Sequence, residues 1–181
     1  KCSRNTLIKD VHLASHFSEF VASFSVSLSH AYRRSAQWTA VERLVSDVNG
    51  PFRNSEEPLL IDLLAGSLRR MVAVLGIDID IIRSSELQVE GALRGQDKII
   101  ETVKRVGGDS YINPVGGRAL YDGAAFEARG VKLAFLDPDC DIKYRQLKSD
   151  EFVPHLSILD VLANNNSDEV HRLLNKYHLV R

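Results

Sequence analysis

Apolar residues recur at three- and four-residue spacings through the first 76 positions, and at two-residue spacings in parts of the remainder. Ala14, Phe17, Phe20, Val21, Phe24 and Leu28 form one stripe with Ser-rich faces beside it, which predicts an amphipathic helix. Trp38, Val41, Leu44, Val45 and Val48 predict a second over Ala36–Val48, ended by Asn49-Gly50-Pro51. A third stripe runs through Leu60, Leu63, Leu64, Leu68, Met71, Val72 and Leu75. Ser55 is its expected N-cap, with Glu56, Glu57 and Pro58 in the first turn, Arg69 and Arg70 toward the negative end, and Gly76 as the stop.

From residue 77 the rhythm changes. Ile77-Asp78-Ile79-Asp80-Ile81-Ile82 alternates as a strand does. Ile99, Ile100, Val103 and Val106 return to helical spacing before Gly107-Gly108, and a short strand is expected at Ser110–Asn113. A Gly/Pro loop follows, then a short helix over Asp122–Arg129, capped by Asp122 and Gly130, then a strand over Val131–Leu136. Helices over Ser157–Asn164 and Asp168–Tyr177, capped by Ser157 and Ser167, complete the tail. Strands alternating with helices across short joints predict a Rossmann-like parallel strand–helix–strand unit in the second half. The expectation is one α/β domain over residues 1–181, with a helical region at 1–76 and the Rossmann-like unit plus C-terminal helices at 77–181.

Composition narrows the classes. The chain has 181 residues, 44% hydrophobic and 26% charged, so disordered, collagenous and disulfide-stapled classes are excluded. Lys+Arg of 23 against Asp+Glu of 24 leaves a net charge of −1, which gives no reason to expect nucleic acid as a partner. Two cysteines, Cys2 and Cys140, make no ligand pair and point to a reducing cytoplasm. No apolar run approaches the roughly 20 residues that span a bilayer, and no signal-peptide core is evident. The chain opens Lys1-Cys2-Ser3-Arg4 without Met or a first strand, so an N-terminal piece is expected to be missing.

Two loops sit where parallel sheets bind ligands, beyond the carboxyl ends of strands. The first runs from Asn113 to Asp122. Its Gly116 and Gly117 admit close approach of a ligand, Asn113 can orient a carbonyl or hydroxyl, Arg118 can meet a phosphate, and Tyr121 offers a stacking face. A tight turn is the alternative, since neither the Walker spacing nor Gly-x-Gly-x-x-Gly is present. The second loop carries Asp137, Asp139 and Asp141, which can hold a divalent cation against a nucleotide-sugar diphosphate, or form an acidic surface turn. A calcium loop fails there, because Ile142 replaces its glycine and Lys148 its glutamate. His12 and His16 have helical i, i+4 spacing without a third zinc ligand, and His30 and His178 look like helix-end residues. His155 lies in a loop before Ser157. No Gly-x-Ser-x-Gly elbow exists, and Ser157 fits an N-cap better than a nucleophile.

The succession of blocks in the second half resembles the WbqC-like family. It comprises Tyr111-Ile112-Asn113-Pro114-Val115-Gly116-Gly117, Leu120-Tyr121, Phe126, Gly130-Val131-Lys132-Leu133, Tyr144-Arg145-Gln146 and Phe152-Val153-Pro154-His155-Leu156-Ser157-Ile158-Leu159-Asp160. Leu75-Gly76-Ile77 and Arg83–Leu87 support it, and Arg4-Asn5, Ile8-Lys9, His30-Ala31-Tyr32 and Trp38 match more loosely. The family's opening strand and His-x-Pro-x-Tyr-x-Pro-like segment have no counterpart here. The resemblance implies an enzyme of bacterial surface polysaccharide (O-antigen) biosynthesis, transferring an acyl or aminoacyl group to an amino sugar or its nucleotide. Asn113, Tyr121 and Asp160 become the candidate catalytic residues, and Tyr111, Gly116, Gly117, Arg118, Tyr144, Gln146 and Ser157 the candidate substrate contacts. No metal ligand and no cofactor are assigned, and His155 carries little weight as a base. Two alternatives stand beside it: a metal-dependent glycosyltransferase using Asp137, Asp139 and Asp141, and a non-enzymatic module docking a protein through Phe17, Phe20 and Phe24.

Overall fold

The apolar stripes fold as helices and the alternating runs as a small sheet, in a computed structural model that describes residues 6–52, 55–89, 91–147 and 151–181. In chain order the elements are α1 (Phe17–Tyr32), α2 (Trp38–Asn49), α3 (Leu60–Val74), α4 (Gly95–Arg105), β1 (Ser110–Pro114), α5 (Gly123–Glu127), β2 (Lys132–Pro138), α6 (Ile158–Asn164), α7 (Ser167–Leu174) and β3 (Tyr177–Val180). This is the expected mixed α/β class with a helical first half. Cys2, Arg4, Asn5 and Lys148 lie outside the described residues.

The chain divides into two compact units, Lys1–Ile81 with Lys143–Leu173, and Ile82–Ile142 with Leu174–Arg181. In the first, Leu28 of α1, Val41 and Val45 of α2 and Ala163 of α6 are buried together, with Phe24, Tyr32, Trp38, Leu159 and Leu162 packed around them. Helices far apart in sequence therefore share one apolar core. Two expected caps move. Ser55 does not start α3. Instead Leu13 N–H donates to Pro58 O and Leu60 N–H to Val11 O, so the extended chain before α3 pairs with residues 11–13. Proline disfavours helix in the residue before it, which keeps Glu56 and Glu57 out of the first turn. At α7 the cap is Asn166, whose Oδ1 accepts from Glu169 N–H while Glu169 Oε2 accepts from Asn166 N–H; Ser167 is already helical.

In the second unit, β1 and β2 run parallel, with Ser110 opposite Lys132 and Pro114 opposite Leu136. The connection between them is α5, capped at Asp122 by a 3.0 Å hydrogen bond from Ala124 N–H. Gly130, at φ +73°, ends it and turns the chain into β2, with Val131 N–H reaching back to Phe126 O at 3.0 Å. Ile100, Val103, Phe126 and Val131 form the core, covered by Ile99, Tyr111, Tyr121 and Leu133.

Two strand expectations are corrected. Residues 77–82 are not a strand: alternation suits a strand only where a neighbour accepts its backbone bonds, and Ile77, Ile79 and Ile82 are exposed with no ladder partner among the described residues. The third strand is β3, antiparallel to β2 with Phe135 opposite Val180 and Asp137 opposite His178. The helix expected to run to Tyr177 ends at Leu174. β3 has only 4 residues and no alternation of burial, so the usual pattern signal is missing.

Phe126 is 0% exposed at the centre of its core. Phe126→Ala is expected to remove about 3–5 kcal/mol of stability. Phe20→Ala, at a 58% exposed ring, is expected to stay within about 0.5 kcal/mol. Urea unfolding midpoints check both.

Candidate functional site

Alternation along β1 places Tyr111 and Asn113 on one face of the strand. The chain then closes into a 3₁₀ segment, Val115–Leu120, and delivers Tyr121 back over that face. The Tyr111 ring stacks on Phe126 at 5.8 Å and meets Tyr121 edge-on at 5.6 Å, while Tyr121 meets Phe126 edge-on at 5.9 Å. Both phenols thus rest on the most deeply buried ring of the unit.

Their hydroxyls form a chain with Asn113. The Tyr111 hydroxyl donates to Asn113 Oδ1 at 3.3 Å and lies 3.3 Å from the Tyr121 hydroxyl. Each phenol has one proton and free lone pairs, so either can be the donor between them. Burial, and secondly the hydrogen bond with Tyr121, pushes the Tyr111 phenol up to about 12, so it is a neutral relay at ordinary pH and no base. Gly117 leaves room for the amide: a Cβ there would collide with Asn113 Nδ2. At Gly116 a Cβ would meet nothing. The Arg118 guanidinium lies 6.0 Å from the Phe135 ring centroid and donates to the backbone oxygen of Arg181.

The first unit gathers a second set. Asp160 is 4% exposed. Its Oδ2 accepts from the Tyr144 hydroxyl at 2.6 Å and from Gln146 Nε2 at 3.1 Å, and its Oδ1 from Asn164 Nδ2 at 3.1 Å. The Gln146 amide also clasps the Val153 backbone, donating to its carbonyl at 2.9 Å and accepting from its N–H at 2.7 Å. Burial first, and then the hydrogen bond to Asp160, pushes both Tyr144 and Tyr32 up to about 12. Ser157 caps α6, accepting from Leu159 N–H at 3.3 Å. The polar atoms of Gln146 and Asp160 are committed to protein partners, an arrangement suited to holding a loop against a helix.

Other candidates are spent or scattered. Asp137 and Asp139 both face His178 across β2 and β3, at 3.5 Å each, and Asp141 is not part of that group. Among the described residues no group of three or more His, Cys, Asp or Glu is arranged to hold a metal. His12 sits in an isolated bridge with Leu59, and His16 precedes α1 without capping it. His155 adopts φ +59°, exposed before Ser157. Cys140 is a free, exposed thiol. On α1, Phe24 packs into the core, Phe17 is half-buried and Phe20 is exposed while stacked on both, so of the three rings Phe20 alone is mostly open to solvent. No helix among the described residues is long and apolar enough to cross a membrane.

A family model described as the WbqC-like protein family matches residues 1–172. The chain belongs to the WbqC-like family. No curated protein and no solved structure matches it. In this WbqC-like chain the residues carried over from the family pattern fall into the two sets just described. Tyr111 and Asn113 of β1 share one unit with Gly116, Gly117, Arg118 and Tyr121 of the β1–α5 connection, and Tyr144, Gln146, Ser157 and Asp160 share the α6 end of the other. Tyr32, which the sequence marked only as part of a loose match, joins the Asp160 network, as does Asn164, which had not stood out because an asparagine one turn after an aspartate looks like an ordinary helix residue.

Asp160→Asn places a donor against the Tyr144 and Gln146 donors and is expected to cost about 2–3 kcal/mol in urea unfolding. The Tyr32 and Tyr144 phenols bind protons more tightly folded (about 12) than in the ordinary state (10.0), so the folded chain holds more protons above pH 10. Their contribution is intact below about pH 10 and is lost as pH rises toward 12. Alkaline unfolding followed by circular dichroism should show that loss, with a shallower slope in Tyr144→Phe.

Proposed function

We propose that the chain is a cytoplasmic transferase of surface polysaccharide (O-antigen) biosynthesis, moving an acyl or aminoacyl group from an activated donor to an amino sugar or its nucleotide. Membership of the WbqC-like family supports this, and one observation carries it: the Tyr121–Tyr111–Asn113 hydrogen-bond chain set at the carboxyl end of a parallel strand. In this reading Asn113 and Tyr121 touch the reacting groups, Asn113 orienting an acyl carbonyl or sugar amide and Tyr121 meeting the acceptor. Tyr111 aligns both. Gly116 and Gly117 keep the approach open, and Arg118 takes an anionic part of the substrate. Asp160, with Tyr144, Gln146 and Ser157, acts as a positioning group that fixes the loop preceding α6.

Assays of the purified chain with amino-sugar nucleotides and acyl thioester donors test it. Asn113→Ala and Tyr121→Phe are each expected to lower kcat/KM at least about tenfold, the scale of one lost transition-state hydrogen bond. Gly117→Ala should match Asn113→Ala in activity while costing under about 1 kcal/mol of stability, since the amide end can rotate away. Activity unchanged in all three variants removes this site.

A further inference from the structure

Beside the Tyr121 chain, and within the same unit, lies an open groove of about 740 Å³, in the size range of small-molecule sites. Its chemistry has two parts. Val131, Leu133, Phe135 and Tyr121 line it with apolar and aromatic surface, and Arg118, Lys132, Arg181 and Glu127 bring the charge. Among these side chains three are cations and one is a carboxylate.

Two of those cations are prepared differently. Arg118 is held over Phe135 and by the backbone oxygen of Arg181, so its orientation is set while most of its five N–H donors remain for a ligand. Lys132 has its nearest carboxylate, Asp109, at 3.9 Å with both side chains more than three-quarters exposed, a pairing that competes weakly with a bound anion. Gly123 and Gly130 add no side-chain bulk to the walls: a Cβ at either would meet nothing within 4 Å.

We propose that this groove binds a nucleoside diphosphate, the leaving or carrier part of a nucleotide sugar, with the base against the apolar lining and the diphosphate between Arg118, Lys132 and Arg181. The diphosphate diester of a nucleotide sugar carries two negative charges for these cationic side chains to meet, and Glu127 is an acceptor for a ribose hydroxyl. A free amino sugar, being a cation, finds no such match. The inference rests on the reading of the chain as one that handles an amino sugar or its nucleotide, and it selects the nucleotide.

Calorimetry on the whole chain with UDP, ADP, inorganic pyrophosphate and free glucosamine tests it. UDP or ADP is expected to bind, more weakly as salt rises, with pyrophosphate weaker than either and glucosamine silent. Lys132→Gln, at an exposed position that leaves the fold intact, and Arg118→Gln, with its fold checked by circular dichroism, should each weaken nucleotide binding about tenfold. Nucleotide binding that is absent at millimolar concentration, or unchanged in both variants, overturns the groove. So does pyrophosphate binding as tightly as UDP, or binding by glucosamine alone. Acyl transfer to a free amino sugar without nucleotide binding would keep the transferase and end this inference. Arg118- and Lys132-dependent nucleotide binding without acyl transfer would do the reverse.

Discussion

Parallel neighbours in a sheet cannot be joined by a hairpin, because the chain leaves one strand at the end opposite to where the next begins. Here β1 and β2 pair over five positions, so the chain must cover about 16 Å back along the sheet before β2 can start. That return path is the 3₁₀ segment and α5, and Phe126 fastens it by being fully buried against Ile100, Val103 and Val131. Asn113, Gly116, Gly117, Arg118 and Tyr121 all lie at the start of this path. Their meeting is a consequence of strand direction. A hairpin between the same two strands would have no room for them.

The helical unit depends on a different kind of constraint. A carboxylate as buried as Asp160 is costly unless its lone pairs are filled. They are filled by the Tyr144 and Tyr32 phenols, a glutamine amide and an asparagine amide, drawn from a loop, from α1 and from the next helical turn. Each donor is itself constrained, Gln146 by the Val153 backbone and Tyr144 by its edge-on contact with Phe152 at 5.2 Å. A network satisfied at every member has one arrangement, which is how a polar group in a small core specifies order where apolar packing alone would tolerate several.

Legibility in the sequence followed the range of the interactions. The helices of the first half, the Asp122 and Ser157 caps and the β1–α5–β2 unit were readable because their signals are local: stripes, caps and period-two runs. The run Ile77–Ile82 misled because alternation reports the shape of a strand and says nothing of whether a neighbour exists to pair with it. β3 was invisible for the complementary reason, four residues whose only credential is a partner in β2. In the candidate site, Tyr111, Asn113 and Tyr121 stood out by motif, whereas Phe135 and Arg181 did not, since a residue inside a strand and the residue after β3 become a groove only through pairing. The separation of Asp160 from the Tyr121 set into another unit likewise depends on long-range folding.

Hydrogen-bond polarity says what the open end of the β1 chain can accept. Asn113 Oδ1 is an acceptor only, and the Tyr111 hydroxyl is the proton within its reach. Between the two phenols either can donate. With the Tyr111 proton on Asn113, Tyr121 donates inward and keeps only acceptor capacity, which suits an amine or a hydroxyl. With the Tyr111 proton on Tyr121, the outer phenol has its own proton left for a carbonyl. Burial holds the Tyr111 phenol up to about 12, so both arrangements keep two protons on the two phenols. A ligand therefore selects between them by the polarity of the atom it brings to Tyr121.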